Sequence, residues 1–377
     1  MEFKLIIKKL NKTLTPEEEI VFSKWFEESN LHREYFNSVK KNYKKDIDYV
    51  DIKKGWLALQ SRLKTSKSKN KYWKYAVAAS VALLISAAFV YNNKKSVKTS
   101  TPIIVDGNVH IEAGTDKATL TLENGAVIAL EKGKTYTTDN LSSNGEELIY
   151  KTKDDTKPEI VYNYLTIPRG GQFYVKLSDG TQVWLNSESQ LKYPKTFIEG
   201  GIREVELVYG EAYFDVSEST KHQGSKFKVI NKNQDVEVLG TVFNVKAYKN
   251  EVKIYTTLVE GKVNVSHLKA KKYLVPNQQS VLDLKTQTIS IDHIDVYGEI
   301  SWIKGIFSFK NKTLKEIMIV LERWYDVKVI FENTELEQVK FNGVISKNEN
   351  LEDILKTIKN TNFITAYVIT DKKITLK

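Results

Sequence analysis

The chain has 377 residues and a formal net charge of +10, and 41% of its residues are hydrophobic. This hydrophobic content allows several packed cores and excludes a generally disordered chain. Cysteine is absent, which excludes disulfides and metal sites built on thiolates. The lysines are spread along the chain and are densest beside an apolar segment. The charge therefore does not indicate a nucleic-acid-binding protein, and no direct nucleic-acid partner is expected.

The first 70 residues have the pattern of a small helical domain. Thr15 and Glu18 have the spacing of a capping box, so a helix is predicted to begin there. Two more helices are expected, one from near Asn30 and one across residues 51–64, because apolar residues recur at helical spacing in both.

Three aromatic residues of this head are candidates for binding a partner: Trp25, Phe26 and Trp56. A domain of this size buries little apolar surface, so it is expected to be marginally stable alone and suited to folding against a partner. The sequence leaves two interpretations open, since the same rings can also fill the core of the head itself.

A segment without charged residues follows the head, at residues 75–93. Within it, residues 75–91 also lack Pro and Gly, and their number is close to what a helix needs to span a bilayer core. Basic residues are more frequent before the segment (Arg62, Lys64, Lys67, Lys69, Lys71, Lys74) than after it (Lys94, Lys95, Lys98). The segment is therefore predicted to be a transmembrane helix, with the N-terminus of the chain in the cytoplasm.

From about residue 100 the hydrophobic pattern has period two, which is typical of β-strands. A hairpin turn is predicted at Asp179 and Gly180, between two alternating strands. No helical pattern occurs between residues 105 and 284. A charged, loop-like segment divides a first β portion, residues 100–150, from a second, residues 160–290.

The last part of the chain, residues 303–377, has the pattern of a compact α+β module. It reads as strand, helix and strand, followed by strand, helix and hairpin. Thr313 and Glu316 have the spacing of a second capping box.

The sequence contains none of the spacings typical of common catalytic or metal sites. The five histidines are scattered, and no cofactor, metal or turnover enzyme activity is expected. One pair of residues stands out, Gly240 and Thr241, because it interrupts an apolar strand. Two interpretations are open: a bulge in the strand, or a self-cleavage site at which the Thr241 hydroxyl attacks the preceding carbonyl.

Three segments resemble the FecR family of membrane-bound anti-sigma factors: PRGGQFYVKLSDGTQVWLNSESQLKYP (168–194), REVELVYGEAYFDV (203–216) and VEVLGTVFNVKAY (236–248). The α+β tail is similar to the C-terminal module of the Bacteroidota branch, which resembles the short N-terminal domain of secretins and TonB-dependent transporters. The resemblance is good over residues 160–377 and extends to the head only in its layout.

This resemblance implies a function. The head would sequester an extracytoplasmic-function (ECF) sigma factor in the cytoplasm, and the outer region would receive a signal from a TonB-dependent outer-membrane transporter in the periplasm. Membrane proteases would then cut the protein and release the sigma factor. Some relatives cleave themselves at a Gly-Thr pair that matches Gly240 and Thr241. The implied location is the inner membrane, with a cytoplasmic N-terminus and a periplasmic C-terminus.

The predicted fold class is a multidomain single-pass membrane protein. It combines a small all-α cytoplasmic head, one transmembrane helix, an all-β periplasmic domain that is solenoid- or sandwich-like, and a C-terminal α+β module. The candidate residues for binding the signalling domain of the transporter are Trp302, Ile306, Phe307 and Phe309, although these side chains can also fill the local core.

An alternative function is that of a membrane-anchored periplasmic module for glycan binding or adhesion. Trp184 and Trp302 are its candidates for stacking on a sugar, although the apolar pattern around both favours burial.

Overall fold

The computed structural model describes residues 2–10, 12–28, 32–33, 36–37, 40, 111–138, 141–150 and 160–377. The chain divides into two compact units, residues 1–98 and residues 99–377.

The first unit begins with two helices, α1 (Glu2–Leu10) and α2 (Pro16–Glu28). The capping box predicted at the start of α2 is confirmed. The Glu18 amide donates to the Thr15 hydroxyl at 3.3 Å, and the Thr15 amide donates to the Glu18 carboxylate at 3.1 Å. Helix α1 was not predicted from the sequence. The helix predicted across residues 51–64 lies outside the described residues.

The two helices pack through a small apolar core, formed by Leu5, Ile6, Phe22 and Trp25. The Phe22 ring stacks on Phe26 at a centroid distance of 5.8 Å, one turn further along α2. The core of this head is therefore dominated by aromatic side chains of α2.

In the parts of the chain that the structure describes, no helix is both long and apolar enough to cross a membrane. The longest of them, α2, has 13 residues, which corresponds to about 20 Å, whereas a bilayer core is about 30 Å thick. This finding corrects the predicted fold class of a single-pass membrane protein: the described residues form a mostly β protein with short helices. The segment predicted to span the membrane, residues 75–93, lies outside the described residues.

The second unit contains a β domain followed by the C-terminal module. The strands of the β domain are β1 (Thr115–Thr121), β2 (Val127–Glu131), β3 (Tyr136–Thr137), β4 (Leu141–Ser143), β5 (Glu147–Tyr150), β6 (Tyr162–Ile167), β7 (Gly171–Lys176), β8 (Gln182–Leu185), β9 (Ser189–Pro194), β10 (Arg203–Asp215), β11 (Phe227–Asn231), β12 (Gln234–Val238), β13 (Val242–Ala247), β14 (Lys253–Glu260), β15 (Val263–His267), β16 (Ala270–Leu274), β17 (Gln278–Asp283) and β18 (Thr288–His293).

These strands form two sheets that share one strand. The first sheet has the order β2-β1-β6-β9-β10-β11-β12-β15-β16. The second has the order β3-β4-β5-β7-β8-β10-β13-β14-β17-β18. Because β1 pairs with β6 and β5 pairs with β7, the strands before and after residues 151–159 belong to the same two sheets.

Strand β10 passes from one sheet to the other. Its first half pairs with β9 and β11, and its second half pairs with β8 and β13. The change occurs at Gly210, whose φ of +101° lies in a region that favours glycine. A Cβ atom at this position would lie 2.2 Å from the Ser189 hydroxyl, so the bend requires glycine for its contacts as well.

The two sheets share one hydrophobic core, which is built from alternate residues of the strands. The prediction for the hairpin at Asp179 and Gly180 is confirmed, since Leu177 and Thr181 close the turn and Gly180 has a φ of +84°. Side chains of both strands on the predicted face are buried: Phe173, Val175, Leu177, Val183 and Leu185.

A buried ion pair lies beside this hairpin. The Arg203 guanidinium donates to the Asp179 carboxylate at 2.8 Å, and both side chains are 2% exposed. Arg203 also donates to the backbone carbonyls of Ser217 and Ser225, at 2.9 and 3.1 Å. Its charge is therefore compensated inside the domain, and the contacts fix the position of the loop after β10.

The C-terminal module begins with a short helix, α3 (Val296–Ile300). It continues with β19 (Ile306–Thr313), α4 (Leu314–Tyr325), β20 (Lys328–Phe331), β21 (Lys340–Ser346), α5 (Leu351–Lys359), β22 (Tyr367–Thr370) and β23 (Lys373–Leu376). Strands β19 and β21 pair with each other, and β23 lies between β20 and β22. The predicted order of elements is confirmed, as is the capping box of Thr313 and Glu316 at the start of α4.

We expect Arg203→Met to destabilise the β domain by about 3–5 kcal/mol, because it leaves the Asp179 carboxylate buried without a cation. Urea unfolding measures this change. The control is Lys356→Gln, which removes an exposed ion pair on α5 and should leave the stability nearly unchanged. Similar effects of the two variants would contradict the prediction.

Candidate functional site

The PRGG motif before β7 makes several hydrogen bonds between the β domain and the C-terminal module. The Arg169 guanidinium donates to the backbone carbonyls of Glu322 and Val327, at 2.7 and 2.5 Å. The Gly170 amide donates to the carbonyl of Arg323 at 2.7 Å. The Glu322 carbonyl also accepts from the backbone amides of Asp326 and Val327. The Arg323 carbonyl is one of the last carbonyls of the helix, which have no partner within the helix itself, so the Gly170 amide of this motif caps the C-terminal end of α4.

A buried cation at the same end of α4, Arg323, contacts the β domain. The Arg323 side chain is 5% exposed, and its Nε lies 3.2 Å from the Glu188 carboxylate. Its terminal nitrogen lies 2.9 Å from the Glu251 carboxylate. The guanidinium also lies 3.4 Å from the centre of the Tyr248 ring, an arrangement that adds cation–π attraction. Arg323 therefore joins two segments of the β domain, the one with Glu188 before β9 and the loop between β13 and β14.

Trp324 fits tightly against the first segment of the β domain. A Cβ atom at Gly114 would lie 2.7 Å from the Trp324 ring, so the indole requires glycine at that position. The Trp324 indole N–H donates to the Lys347 carbonyl at 2.7 Å, which ties α4 to the loop after β21.

Lys347 is a buried lysine at the same junction. Its ammonium donates to the Gln172 side chain at 2.5 Å and lies 3.7 Å from the centre of the Trp324 ring. Trp302 and Phe307 lie further out, with ring centres 5.7 and 5.5 Å from the ammonium. Burial lowers the pKa of Lys347 from its ordinary 10.5 to about 7, against the attraction of carboxylates nearby. The residue is thus held close to losing its charge at neutral pH.

The residues predicted to bind a transporter domain lie at this junction. Trp302, Phe307 and Phe309 are buried in the core of the C-terminal module, and Ile306 is half-buried. The structure therefore brings all four close together. Their role in binding a partner stays a prediction, although little of the three aromatic side chains is accessible.

Gly240 and Thr241 lie between β12 and β13. Gly240 has a φ of +153°, and a Cβ atom there would lie 2.9 Å from the Glu218 Cα. Thr241 is 4% exposed, and its hydroxyl donates to the Lys262 carbonyl at 3.0 Å. Glycine adopts this φ readily and other residues rarely do, which agrees with both interpretations of the pair, so cleavage at this bond stays a prediction.

The residues predicted to bind a sigma factor lie in the first unit. Trp25 belongs to the core of the head, and Phe26 packs against that core. Trp56 lies outside the described residues. Two apolar side chains of α2 are more accessible, since Ile20 is 72% and Val21 is 50% exposed.

The described residues contain no group of His, Asp and Glu side chains that could hold a metal ion.

Two domain families match the chain, and both lie in the second unit. The FecR protein family matches residues 163–264, and the FecR C-terminal family matches residues 306–376. The first match contains Arg169 and Glu188, and the second contains Arg323 and Lys347, so the junction lies between the two matched domains. The chain belongs to the FecR family. FecR proteins are regulators, which confirms the prediction that this chain is not an enzyme.

Two solved structures share this architecture. Both are crystal structures described as a candidate anti-sigma factor from Parabacteroides distasonis ATCC 8503. Each is 28% identical to the present chain, with a TM-score of 0.51. The alignment covers 57% of the present chain and 98% of the solved chain. No curated protein matches the chain.

Sequence reasoning identified the PRGG motif but not its role. Arg169 and the carbonyl of Glu322 that it contacts are 153 positions apart, and no local pattern connects them. Lys347 also carried no signal, because it stands among polar residues after β21. The buried arginine Arg323 follows the apolar stripe of α4, and its position in the last turn of a helix was a signal that could have been used.

We expect Arg169→Gln to loosen the C-terminal module from the β domain by about 1–3 kcal/mol, because the carbonyls of Glu322 and Val327 lose a charged donor. Hydrogen exchange should become faster at the end of α4 and remain unchanged in the β domain. The control is Lys310→Gln, whose side chain is 76% exposed. Exchange that stays slow at α4 in the Arg169 variant would contradict the prediction.

We expect the stability of the protein to rise with pH between about 7 and 10, because Lys347 binds its proton more weakly in the folded state than in the unfolded state. The contribution of one such group is at most ~1.4 kcal/mol per pH unit. Lys347→Met should remove this part of the slope and stabilise the protein most at pH 7. Urea unfolding of both proteins across this range measures it, and equal slopes would contradict the assignment.

Proposed function

We propose that this FecR protein is an anti-sigma factor that sequesters an ECF sigma factor through its helical head. The observation that carries the proposal is the combination of the FecR domain and the FecR C-terminal domain in one unit, together with the similarity to structures described as candidate anti-sigma factors. A sigma factor is the partner that such a role requires.

The construction of the head supports this assignment. Its core is small and aromatic, and a domain with so little buried surface gains stability from a partner. Ile20 and Val21 are exposed on α2, so an apolar surface is available beside the core residues Trp25 and Phe26. We propose that the sigma factor binds over Ile20 and Val21. The predicted residues Trp25 and Phe26 would hold this surface in place by packing in and against the core of the head.

The second unit would receive the signal, in the periplasm, from the signalling domain of a TonB-dependent outer-membrane transporter. Among the described strands, β21 pairs with β19 alone, so its other edge is open to a strand from a partner. Val344 on β21 is 63% exposed, whereas Phe307 and Phe309 on β19 are buried. Binding at β21 would change the position of Lys347, which directly follows this strand and lies at the junction.

Release of the sigma factor would follow from proteolysis. A partner that loosens the contacts of Arg169 and Arg323 would expose backbone that is now protected by them, and exposed backbone is what proteases cut. Cleavage at Gly240 and Thr241 would be a separate event inside the β domain.

The alternative of a glycan-binding module gains no support from the two tryptophans named for it. Trp302 is 5% exposed. Trp184 is half-buried and packs between Tyr174 and Tyr213, at ring-centre distances of 4.9 and 5.5 Å. Little of the Trp302 ring is accessible, and neighbouring rings cover part of Trp184.

We expect the full chain to co-purify with one ECF sigma factor from the same organism in a stoichiometric complex. Replacing both Ile20 and Val21 by lysine should weaken the complex at least about tenfold, because it puts charges into an apolar interface. Titration calorimetry measures the affinity.

Lys24→Gln is the control for this experiment, since Lys24 is exposed on the same helix and should not matter. Circular dichroism must show that the double variant keeps its helices. Failure of the unaltered chain to bind any ECF sigma factor of the organism would overturn the proposed function. Full affinity of the double variant would overturn only the proposed surface.

A further inference from the structure

A cavity of about 340 Å³ lies where the β domain meets the C-terminal module. Strands β10, β13 and β14 form one side of it, and α3, β19 and α4 form the other. Its size is within the range of pockets that bind small organic molecules. Because both domains contribute walls, the cavity exists in this form only while the module is docked.

Aromatic rings form much of the wall. They come from both sides of the cavity: Tyr248 and Tyr255 from the β domain, and Trp302, Phe307, Phe309 and Trp324 from the module. Such a wall favours a ligand with an apolar body.

Most charged groups in the wall are already compensated by neighbours. The Glu251 carboxylate lies 2.9 Å from the Arg323 guanidinium, and the Glu299 carboxylate lies 3.3 Å from the Lys312 ammonium. The Glu316 carboxylate closes the capping box of α4. These carboxylates therefore have partners within the protein and do not need a cationic ligand.

Glu211 is the most deeply buried acid of the cavity. Its two oxygens accept hydrogen bonds from the side-chain amides of Asn186 and Asn244, at 2.9 and 3.0 Å. Burial raises the pKa of this carboxyl, and the nearby Lys246 opposes that effect only in part. Glu211 therefore has its hydrogen-bond partners and adds less negative charge to the cavity than an exposed acid would.

One buried donor and one exposed cation of the wall have no close partner within the described residues. Among the described residues of the wall, the Trp302 indole N–H is the one buried side-chain donor that has no acceptor. Lys253 has no carboxylate within 4.0 Å in the described part of the chain. The carboxylate of its cross-strand neighbour Asp283 accepts from the backbone amides of Lys285 and Thr286, at 2.8 and 3.2 Å, and is attracted by Lys253 from a longer distance.

From this pattern we propose that the cavity is a binding site for a small organic anion, namely an apolar body that carries a carboxylate. The body lies between the aromatic rings, and the carboxylate accepts from the Trp302 N–H and is attracted by Lys253. A buried donor without a partner is unfavourable, so a ligand that supplies an acceptor gains this interaction. Such a ligand would also stabilise the docked module, because it contacts both sides of the junction.

The test uses three probes that share one skeleton and differ in charge: phenylacetate, phenylacetamide and phenethylamine. Titration calorimetry with the full chain gives their dissociation constants at one ionic strength. We expect phenylacetate to bind at least about tenfold more tightly than the amide, and the amine to bind weakest.

Two variants locate the site. Trp302→Phe keeps a ring and removes the N–H, and should weaken phenylacetate binding about five- to tenfold. Lys253→Gln, at an exposed position, should weaken phenylacetate binding and leave phenylacetamide binding unchanged. Lys271→Gln makes the same substitution on the exposed strand β16 and should have no effect.

Three results would overturn the proposal. The first is that none of the probes binds at up to about 10 mM. The second is that phenethylamine binds most tightly, since the site would then select cations. The third is that phenylacetate binds equally well to the Lys253 variant and to the unaltered chain, because binding would then occur elsewhere. The Lys253 test does not depend on whether the Trp302 variant folds, and none of these results bears on sigma-factor binding.

Discussion

The second unit depends on how one helix end finds its hydrogen-bond partners. The last carbonyls of a helix need donors from outside the helix, and at α4 the Gly170 amide of the β domain supplies one to the Arg323 carbonyl. The Arg169 side chain adds hydrogen bonds to the Glu322 carbonyl in the helix and to the Val327 carbonyl just after it. The side chain of Arg323 on α4 forms ion pairs with Glu188 and Glu251 of the β domain. The contact is thus reciprocal, and it fixes both the distance and the orientation of the module on the β domain.

This junction is rich in charge for a buried contact. Arg323 and Lys347 are both at least nine-tenths buried, and burial of charges is costly unless their partners remain in place. Burial lowers the pKa of Lys347 to about 7, so its charge is easily lost near neutral pH. A junction of this kind gives a specific docked arrangement, yet the loss of one partner strongly destabilises it. That property suits a regulator that has to change state when a second protein binds.

The candidate residues divide according to their accessibility. Trp302, Phe307 and Phe309 are buried, and they act on a partner only through the surfaces that they support. Ile20 and Val21 of the head are exposed and were not among the binding candidates predicted from the sequence. The membership in the FecR family comes from the β domain and the module, so the proposed function of the head rests on the construction of that unit and on the similarity to related structures.

The sequence by itself determined the elements whose signals are local. The capping boxes of α2 and α4, the turn at Asp179 and Gly180 and the order of strands and helices in the module all follow from neighbouring residues. Helix α1 was missed because it has no capping signal of its own. Only the tertiary structure decided that Arg169 completes α4 and that Lys347 is buried. Each of these depends on residues more than a hundred positions apart. Contacts over such distances produce no periodic pattern in the sequence from which they could be predicted.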